Sequence, residues 1–253
     1  MKILMTLMGL EIGGAETHVT ELVRELHRRG HTVIVASNGG VYESALSDAG
    51  IRHVQIPMHR RSPGDMLRSL VMLRRLIQQE QPDLVHAHAR IPAFLCGILH
   101  RQMGFPFVTS AHWVFQVTPL LRLITDWGQR TVAVSEDIKT YLMEGYGVAP
   151  DQIHVTINAV DTETFSAAPR DEALAAELGL GIGPVIGHIS RLDQSREQAA
   201  RELIALMPRL VKTHPDAQLL IVVGFLEKSN TCQIPAVLKC ISINDCDTVG
   251  DCD

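Results

Sequence analysis

A glycine-rich loop near the start of the chain leads directly into a helical pattern. The segment from Gly9 to Glu16 reads GLEIGGAE. Glycines allow backbone N–H groups to approach a phosphate or sugar closely, and the amino end of the following helix carries partial positive charge. The alternative is a tight turn between strand and helix. The spacing of Gly9, Gly13 and Gly14 does not match the G-x-G-x-x-G of nicotinamide-binding loops, so that class of site is not indicated.

Three histidines lie at or just beyond the ends of predicted strands. His112 follows a strand in the segment TSAHWVF, and His86 and His88 alternate in VHAHAR. Ligands of parallel sheets bind at the carboxyl ends of strands, where His112 could hydrogen-bond a sugar hydroxyl or stabilise a transition state. A structural role for His112 is the alternative. Two histidines at i and i+2 without a third nearby ligand make a poor zinc site.

Two arginines lie at the start of a later strand-to-helix segment. Arg191 follows the strand and Arg196 lies in the first turns of the helix. The guanidinium geometry matches phosphate oxygens, and the helix amino end adds positive charge, so the pair suits a diphosphate. Ordinary surface charge is the other interpretation.

The last residues contain acidic triplets and clustered cysteines, but they do not predict a metal site. DCD occurs at Asp245 to Asp247 and again at Asp251 to Asp253. A working DxD motif needs a strand end and a nucleotide pocket behind it, and neither is predicted there. The cysteine spacing differs from the C-x-x-C pairs of zinc sites.

Short apolar runs alternate with amphipathic helical patterns along most of the chain. Continuous apolar strands separated by helices predict a parallel sheet that is covered on both faces, which is a doubly wound α/β fold. The predicted strands are Lys2 to Leu7, Thr32 to Ser37, His53 to Ile56, Leu84 to Ala87, Phe107 to Ser110 and Thr131 to Val134.

A second, incomplete α/β domain follows the first. We predict a first Rossmann-like domain over residues 1–165, a linker over 166–183, and the start of another domain over 184–224. This second part has a strand from Pro184, a helix from Ser195 to Thr213, and a strand from Gln218. Residues 225–253 show neither the helical nor the strand period clearly. Their composition, with clustered cysteines and aspartates, also differs from that of the preceding residues.

The composition excludes several broad classes of protein. The 253 residues are 46% hydrophobic and carry a formal net charge of -5, from 23 basic and 28 acidic residues. Nucleic-acid binding requires a strong positive field, so no such partner is predicted. No segment has the pattern of a signal peptide or the roughly 20 apolar residues of a membrane span, so we expect a cytoplasmic protein.

Several segments, taken in order, resemble the retaining GT-B glycosyltransferases of family four, also called group 1 glycosyltransferases. The matching segments are GGAE from Gly13, VHAHARIPAF from Val85, AVSEDIKTYL from Ala133, INAVDTETF from Ile157 and GHISRLDQSRE from Gly187. The resemblance covers roughly Met1 to Gly224.

The resemblance implies a two-domain enzyme that moves a sugar from a nucleotide-sugar donor to an acceptor. The first domain would bind a sugar, lipid or polysaccharide acceptor, and the second would bind the donor. Gly13 and Gly14 would face the donor phosphates, Arg191 and Arg196 would hold the diphosphate, and His112 would lie near the transferred sugar. The resemblance implies no metal or other cofactor, and retention of anomeric configuration.

The chain departs from the family pattern in ways that affect the donor side. Ala159 stands where the family usually has glycine, and Arg196 stands at the lysine position. After Gly224 the family continues into a glycine-rich donor loop and a distal pair of glutamates, which are not present. We therefore expect this chain to lack most of its donor site and to be impaired on its own.

Two other function classes remain open, together with a question of membrane contact. The alternatives are a non-catalytic acceptor-binding fragment and a nucleotide-sugar epimerase of the same architecture. The helical stretch from Leu67 to Ile77 carries Arg68, Arg74 and Arg75, and a weak peripheral contact with an anionic bilayer is one interpretation. We favour an ordinary sheet-covering helix, because the doubly wound fold needs one there.

Overall fold

The chain forms two compact units. The computed structural model describes residues 1–163, 165–190, 194–223 and 237–241, and for 194–196, 223 and 237–241 it describes the backbone alone. The first unit is Met1–Phe165 and the second is Ser166–Asp253.

The first unit is built on a seven-stranded sheet in which every paired strand is parallel to its neighbour, in the order β3-β2-β1-β4-β5-β6-β7. This confirms the predicted doubly wound parallel sheet. The sequence patterns do not predict β7, whose three residues are too few to show a period. The strands are β1 (Lys2–Thr6), β2 (Thr32–Ser37), β3 (Arg52–Gln55), β4 (Leu84–Ala87), β5 (Phe107–Ala111), β6 (Arg130–Ala133) and β7 (Ile153–Val155).

Helices cover both faces of this sheet. They are α1 (Gly14–Arg28), α2 (Glu43–Asp48), α3 (Pro63–Glu80), α4 (Arg90–Met103), α5 (Pro119–Ile124) and α6 (Glu136–Tyr141). A π-helical turn over Leu142–Tyr146 and a 3-10 turn over Pro150–Gln152 precede β7.

Successive residues of the central strand supply the two cores. Leu4 packs in the cluster that includes residues of α3 and α4, whereas Met5 packs in the cluster that includes residues of α1 and α2. Both side chains are almost completely buried. Because side chains alternate across a strand, β1 must be apolar on both faces, which explains its continuous apolar run.

Helix α3 covers the sheet, as we expected. Leu73, Leu76 and Ile77 are buried against the sheet, while Leu67 and Val71 remain exposed on the other side of the helix. Ser62 caps the helix through its side chain, which accepts a hydrogen bond from the Asp65 backbone N–H. Within the part of the chain that the structure describes, no helix has both the length and the apolar character needed to cross a membrane.

The strand order changes direction between β1 and β4, and this position organises the first unit. From β1 the sheet grows in one direction through β2 and in the other through β4. Connections on the two sides of such a point leave a crevice at the carboxyl ends of the strands. The segments that follow β1, β4 and β5 therefore surround the expected ligand position.

The second unit contains a three-stranded sheet in the order β10-β9-β8, with β8 and β9 parallel and β10 antiparallel to β9. The predicted linker contains the short helix α7, which the Asp171 side chain caps. Strand β10 lies in the segment for which the sequence shows no clear period. The elements are α7 (Glu172–Glu177), β8 (Val185–Ser190), α8 (Gln194–Leu210), β9 (Gln218–Val223) and β10 (Val237–Ile241).

Replacing Phe107 should strongly destabilise the first unit. The Phe107 side chain is fully buried in the same cluster as Leu4, so Phe107→Ala should lower the free energy of unfolding by about 3–5 kcal/mol. The chain has two tryptophans, Trp113 and Trp127, and both lie in this unit, so tryptophan fluorescence during urea denaturation reports on it. The control is Leu67→Ala at an exposed site, which should change the unfolding free energy by no more than about 0.5 kcal/mol. Equal effects of the two substitutions would contradict the assigned core.

Candidate functional site

A cavity of about 640 Å³ lies in the first unit at the carboxyl ends of β4 and β5. Its walls come from the segments after β1, β4 and β5 and from α3, α4 and α5. Most of the lining is apolar or aromatic, including Met66, Phe94, Trp113, Phe115, Ile124 and Trp127. The structure therefore places a ligand-sized cavity at the position that the strand order indicates.

The structure brings the three predicted histidines together at this cavity and adds a fourth. The rings of His86 and His88 are 4.0 Å apart between centroids, and those of His88 and His112 are 5.4 Å apart. His18 on α1 lies 5.2 Å from His112 between ring centroids. His88 and His112 line the cavity itself.

Burial keeps this histidine cluster uncharged near neutral pH. Loss of solvent, with a smaller effect of neighbouring histidines, lowers the pKa of His86 to about 3 and that of His112 to about 4. The same causes hold the pKa of His88 well below its usual value, and burial lowers the pKa of His18. The cluster can donate and accept hydrogen bonds, but it does not supply positive charge at neutral pH.

A hydrogen bond couples the tautomers of His88 and His112. Nδ1 of His88 and Nε2 of His112 are 3.1 Å apart, whereas Nε2 of His88 and Nδ1 of His112 are buried without a hydrogen-bond partner. In two neutral rings, one of the bonded nitrogens carries the proton and the other accepts it. One of the two unpartnered nitrogens is then always a donor and the other an acceptor. The pair can therefore hold a hydroxyl and an anionic oxygen at the same time.

His86 is fixed behind this pair and does not line the cavity. Its Nε2 is 2.8 Å from Oγ of Ser110, and the ring is almost fully buried. The strand positions explain the arrangement, because residues i and i+2 of a strand project to the same side. The alternation of His86 and His88 therefore stacks one ring behind the other.

Arg90, the first residue of α4, contributes a cation that the sequence interpretation did not single out. Its guanidinium carbon lies 4.0 Å from the centre of the Phe115 ring, a cation–π contact. Its Nη1 is buried without a hydrogen-bond partner, and Arg90 lines the cavity. The only signal in the sequence was its position directly after VHAHA, at the start of a helix.

The glycine loop after β1 leads into α1, as the sequence predicted. Gly13 is the residue before the helix and has an extended backbone, and no side chain caps this helix end. A carboxylate oxygen of Glu16 occupies the space that a side chain at Gly13 would need, whereas a side chain at Gly14 would meet open space. The Glu16 carboxylate thus lies beside the helix end at which a phosphate was expected.

The predicted arginine pair lies outside what the structure describes, namely Arg191 and the side chain of Arg196. Both DCD triplets, Cys232, Cys246, Cys252 and the side chain of Cys240 also lie outside it. Within the described ranges, no group of three or more histidine, cysteine, aspartate or glutamate side chains is arranged to hold a metal ion. The cluster of His18, His86, His88 and His112 is therefore not arranged as a metal site.

Residues 12–164 match the protein family described as Glycosyltransferase Family 4, so the chain belongs to that family. It is 27% identical over 231 residues to the α-maltose-1-phosphate synthase of Mycolicibacterium smegmatis, a match that covers 84% of this chain and 57% of the relative. It is 28% identical over 229 residues to the phosphatidyl-myo-inositol mannosyltransferase of Mycobacterium tuberculosis, covering 83% of this chain and 56% of the relative. The chain thus spans a little over half the length of these relatives.

Solved structures share the fold at low sequence identity. A glycosyltransferase from Rickettsia africae superposes with a TM-score of 0.69 at 20% identity, covering 87% of this chain and 68% of that structure. The Anabaena protein HepE in complex with UDP-glucose gives a TM-score of 0.68 at 19% identity, covering 87% of this chain and 60% of that structure. These similarities establish the α/β fold.

The neutral state of His86 should make the first unit sensitive to acid. A histidine whose pKa is lower in the folded than in the unfolded protein takes up a proton on unfolding. The free energy of unfolding therefore falls as the pH drops below the pKa of that histidine in the unfolded protein. For His86 this loss begins near pH 6.5 and continues to about pH 3. In His86→Gln, whose side-chain amide can still bond Ser110, stability should fall less, by about 1 kcal/mol per pH unit.

Urea denaturation followed by tryptophan fluorescence, at about pH 7.5 and about pH 5, measures this difference. Ser110→Ala is the matched control, because it removes the hydrogen-bond partner but keeps the imidazole. It should lower stability at both pH values without reducing the dependence on pH. The same pH dependence in wild type and His86→Gln would show that His86 is not held neutral.

Proposed function

We propose that the protein transfers a sugar from a nucleotide-sugar donor to an acceptor bound in the cavity of the first unit. The observation that carries this proposal is the cavity at the strand ends of a Glycosyltransferase Family 4 domain, with His112 in its wall. Neutral hydrogen-bonding groups beside aromatic walls suit the hydroxyls and apolar faces of a sugar.

In this proposal the two units have different tasks. The first unit binds the acceptor, and the second binds the donor through the diphosphate, with Arg191 and Arg196 as the positively charged side chains. Gly13 and Gly14 face the donor phosphates. The Glu16 carboxylate, which lies beside Gly13, would then have to turn away, because it would repel the phosphates.

We further propose that the reaction needs no metal and retains the anomeric configuration. Arginine side chains and helix amino ends would stabilise the negative charge that develops on the leaving diphosphate. Neutral His112 would hydrogen-bond the transferred sugar through its unpartnered Nδ1, while His88 holds the ring from the other side.

The acceptor class is one of sugar, lipid or polysaccharide, and the first unit has features that suit an amphiphile. Trp113, Leu120 and Leu123 are exposed near the cavity, and α3 exposes Leu67 and Val71. We propose weak peripheral contact of the first unit with a membrane through these exposed apolar side chains. The relative from M. tuberculosis is named a phosphatidyl-myo-inositol mannosyltransferase, which supports a lipid acceptor.

A nucleotide-sugar epimerase is the second candidate, because proteins of that class share the fold. The structure of a UDP-GlcNAc 2-epimerase from Neisseria meningitidis superposes with a TM-score of 0.55 at 15% identity. The family match favours a transferase. The two differ in outcome, since an epimerase changes the donor sugar without an acceptor.

Removal of the unpartnered nitrogen of His112 should reduce transfer by about a hundredfold. His112→Gln can keep the contact with His88 through its side-chain amide but has no group at the Nδ1 position. The assay follows nucleoside diphosphate release from UDP-, GDP- and ADP-linked hexoses with D-inositol 3-phosphate or phosphatidylinositol vesicles as acceptor. The control is exposed His154→Gln, which should leave the rate unchanged.

The controls of this assay separate the candidate functions. UDP binding measured by calorimetry shows whether a variant still binds nucleotide. Donor conversion without an acceptor would favour the epimerase. Ligand binding without release or transfer would leave a non-catalytic acceptor-binding protein.

Chelation should leave transfer unchanged. If arginines and helix ends stabilise the leaving diphosphate, EDTA should not reduce the initial rate with any donor that is accepted. The measurement compares rates in EDTA with rates in added Mg²⁺ or Mn²⁺. A rate that disappears with EDTA and returns with one of these ions would contradict the metal-independent proposal.

A further inference from the structure

We propose that the acceptor carries a phosphate ester, and that the amino end of α4 binds this phosphate together with Arg90 and His88. This inference rests on the proposed function, because it names the acceptor class for the same cavity. It assigns an anion site to the first unit, at the amino end of α4.

The amino end of α4 has N–H groups available for an anion. The first N–H groups of a helix have no partner within the helix, and in α4 these are the N–H groups of Arg90 and Ile91, because Pro92 has none. Ala89 precedes α4 with an extended backbone and gives no side-chain cap, and the first turn contains no acidic residue. Ala89, Arg90 and Ile91 all line the cavity. Such a helix end attracts a phosphate through both its N–H groups and its partial charge.

Two side chains with unpartnered buried nitrogens point independently to a ligand at this helix end. His88 is 4% exposed and its Nε2 has no hydrogen-bond partner, and the buried Nη1 of Arg90 has none either. A buried polar group without a partner is costly, which favours a ligand that satisfies it. Backbone amides, a guanidinium and an imidazole N–H at one place are the donors that a phosphate needs.

The charge of the cavity agrees with an anionic ligand. Its described lining residues include Arg61 and Arg90 but no aspartate or glutamate. Stacking on Phe115 holds the Arg90 guanidinium at the cavity wall without neutralising its charge. A phosphate bound there is therefore attracted by two cations and repelled by no carboxylate of the lining.

The coupled histidines fit a phosphorylated acceptor. If Nε2 of His88 donates to the phosphate, its Nδ1 must accept the hydrogen bond from Nε2 of His112. Nδ1 of His112 is then a hydrogen-bond acceptor, available to a hydroxyl. One tautomer thus provides a donor for the phosphate and an acceptor for a sugar hydroxyl.

The names of two relatives are consistent with an acceptor that carries a phosphate ester. D-inositol 3-phosphate glycosyltransferase of Nocardiopsis dassonvillei and the phosphatidyl-myo-inositol mannosyltransferase both have names that contain a phosphate ester. The phosphate could belong to a small phosphorylated polyol or to a lipid headgroup. The apolar walls accommodate either one, so the two sources require separate measurements.

The decisive variant places a carboxylate at the proposed site without weakening the helix. Asp is a preferred residue before a helix, and the extended backbone of Ala89 suits it, so Ala89→Asp should keep or raise the melting temperature. Its carboxylate would take the N–H groups and repel an anion, so binding of glycerol 3-phosphate should weaken at least tenfold. Ala89→Asn caps the helix without charge and should weaken binding less.

Titration of the 253-residue chain with inorganic phosphate and with glycerol 3-phosphate, followed by ¹⁵N NMR, gives a site-specific result. In wild type, the backbone amides of Ala89, Arg90 and Ile91 should shift. Arg90→Gln should weaken binding about tenfold, which corresponds to the loss of one charged hydrogen bond. Arg130→Gln removes the same charge from an exposed side chain at the amino end of β6, whereas the cavity lies at the carboxyl ends of β4 and β5, and it should have no effect. Unchanged affinity in both Ala89→Asp and Arg90→Gln would overturn the proposal.

Vesicles separate the two sources of phosphate. Flotation with phosphatidylcholine vesicles that contain phosphatidylinositol should depend on Ala89 and Arg90 if the ligand is a lipid headgroup. Binding of glycerol 3-phosphate, with flotation that is absent or unaffected by Ala89→Asp, would assign a small phosphorylated acceptor. Neither measurement requires sugar transfer. Phosphate binding at α4 in a protein that transfers no sugar would therefore support the anion site independently of the proposed function.

Discussion

Burial of β1 on both faces is the constraint on which the first unit depends. Leu4 and Met5 project to opposite sides, and each is covered by a different pair of helices. A strand in this position must have a hydrogen-bonded neighbour on each side, because its own N–H and C=O groups would otherwise be buried without partners. Those neighbours are β2 and β4, and their pairing with β1 fixes the point at which the strand order changes direction.

The same constraint brings the polar groups together. The segments after β1, β4 and β5 all leave the sheet at one edge, so residues far apart in the chain meet there. His88 and His112 are 24 residues apart and share a hydrogen bond. The apolar cores that surround them exclude water, which lowers the pKa of both rings and leaves them neutral. Function in this site therefore rests on directed hydrogen bonds more than on histidine charge.

The charge in the cavity comes from arginine instead. Its contact with Phe115 holds the Arg90 guanidinium at the cavity wall, and among the described residues no carboxylate forms an ion pair with it. An anion is more stable here than in an apolar cavity. The cavity offers it a neutral histidine pair, the Arg90 guanidinium and the uncapped amino end of α4. Glu16 makes the amino end of α1 different, since its carboxylate already lies beside Gly13.

The sequence by itself determined the fold class and most of the strands, because continuous apolar runs and helical periodicity are local signals. Thr32–Ser37 and Leu84–Ala87 have the predicted bounds, whereas the three-residue β7 is too short to show a pattern. The sequence also indicated His112 and the glycine loop. Only the tertiary structure decided that His88 bonds His112, that His18 approaches from α1, and that Arg90 stacks on Phe115. These contacts join separate elements, and side-chain direction and burial at a sheet edge depend on how the whole sheet packs.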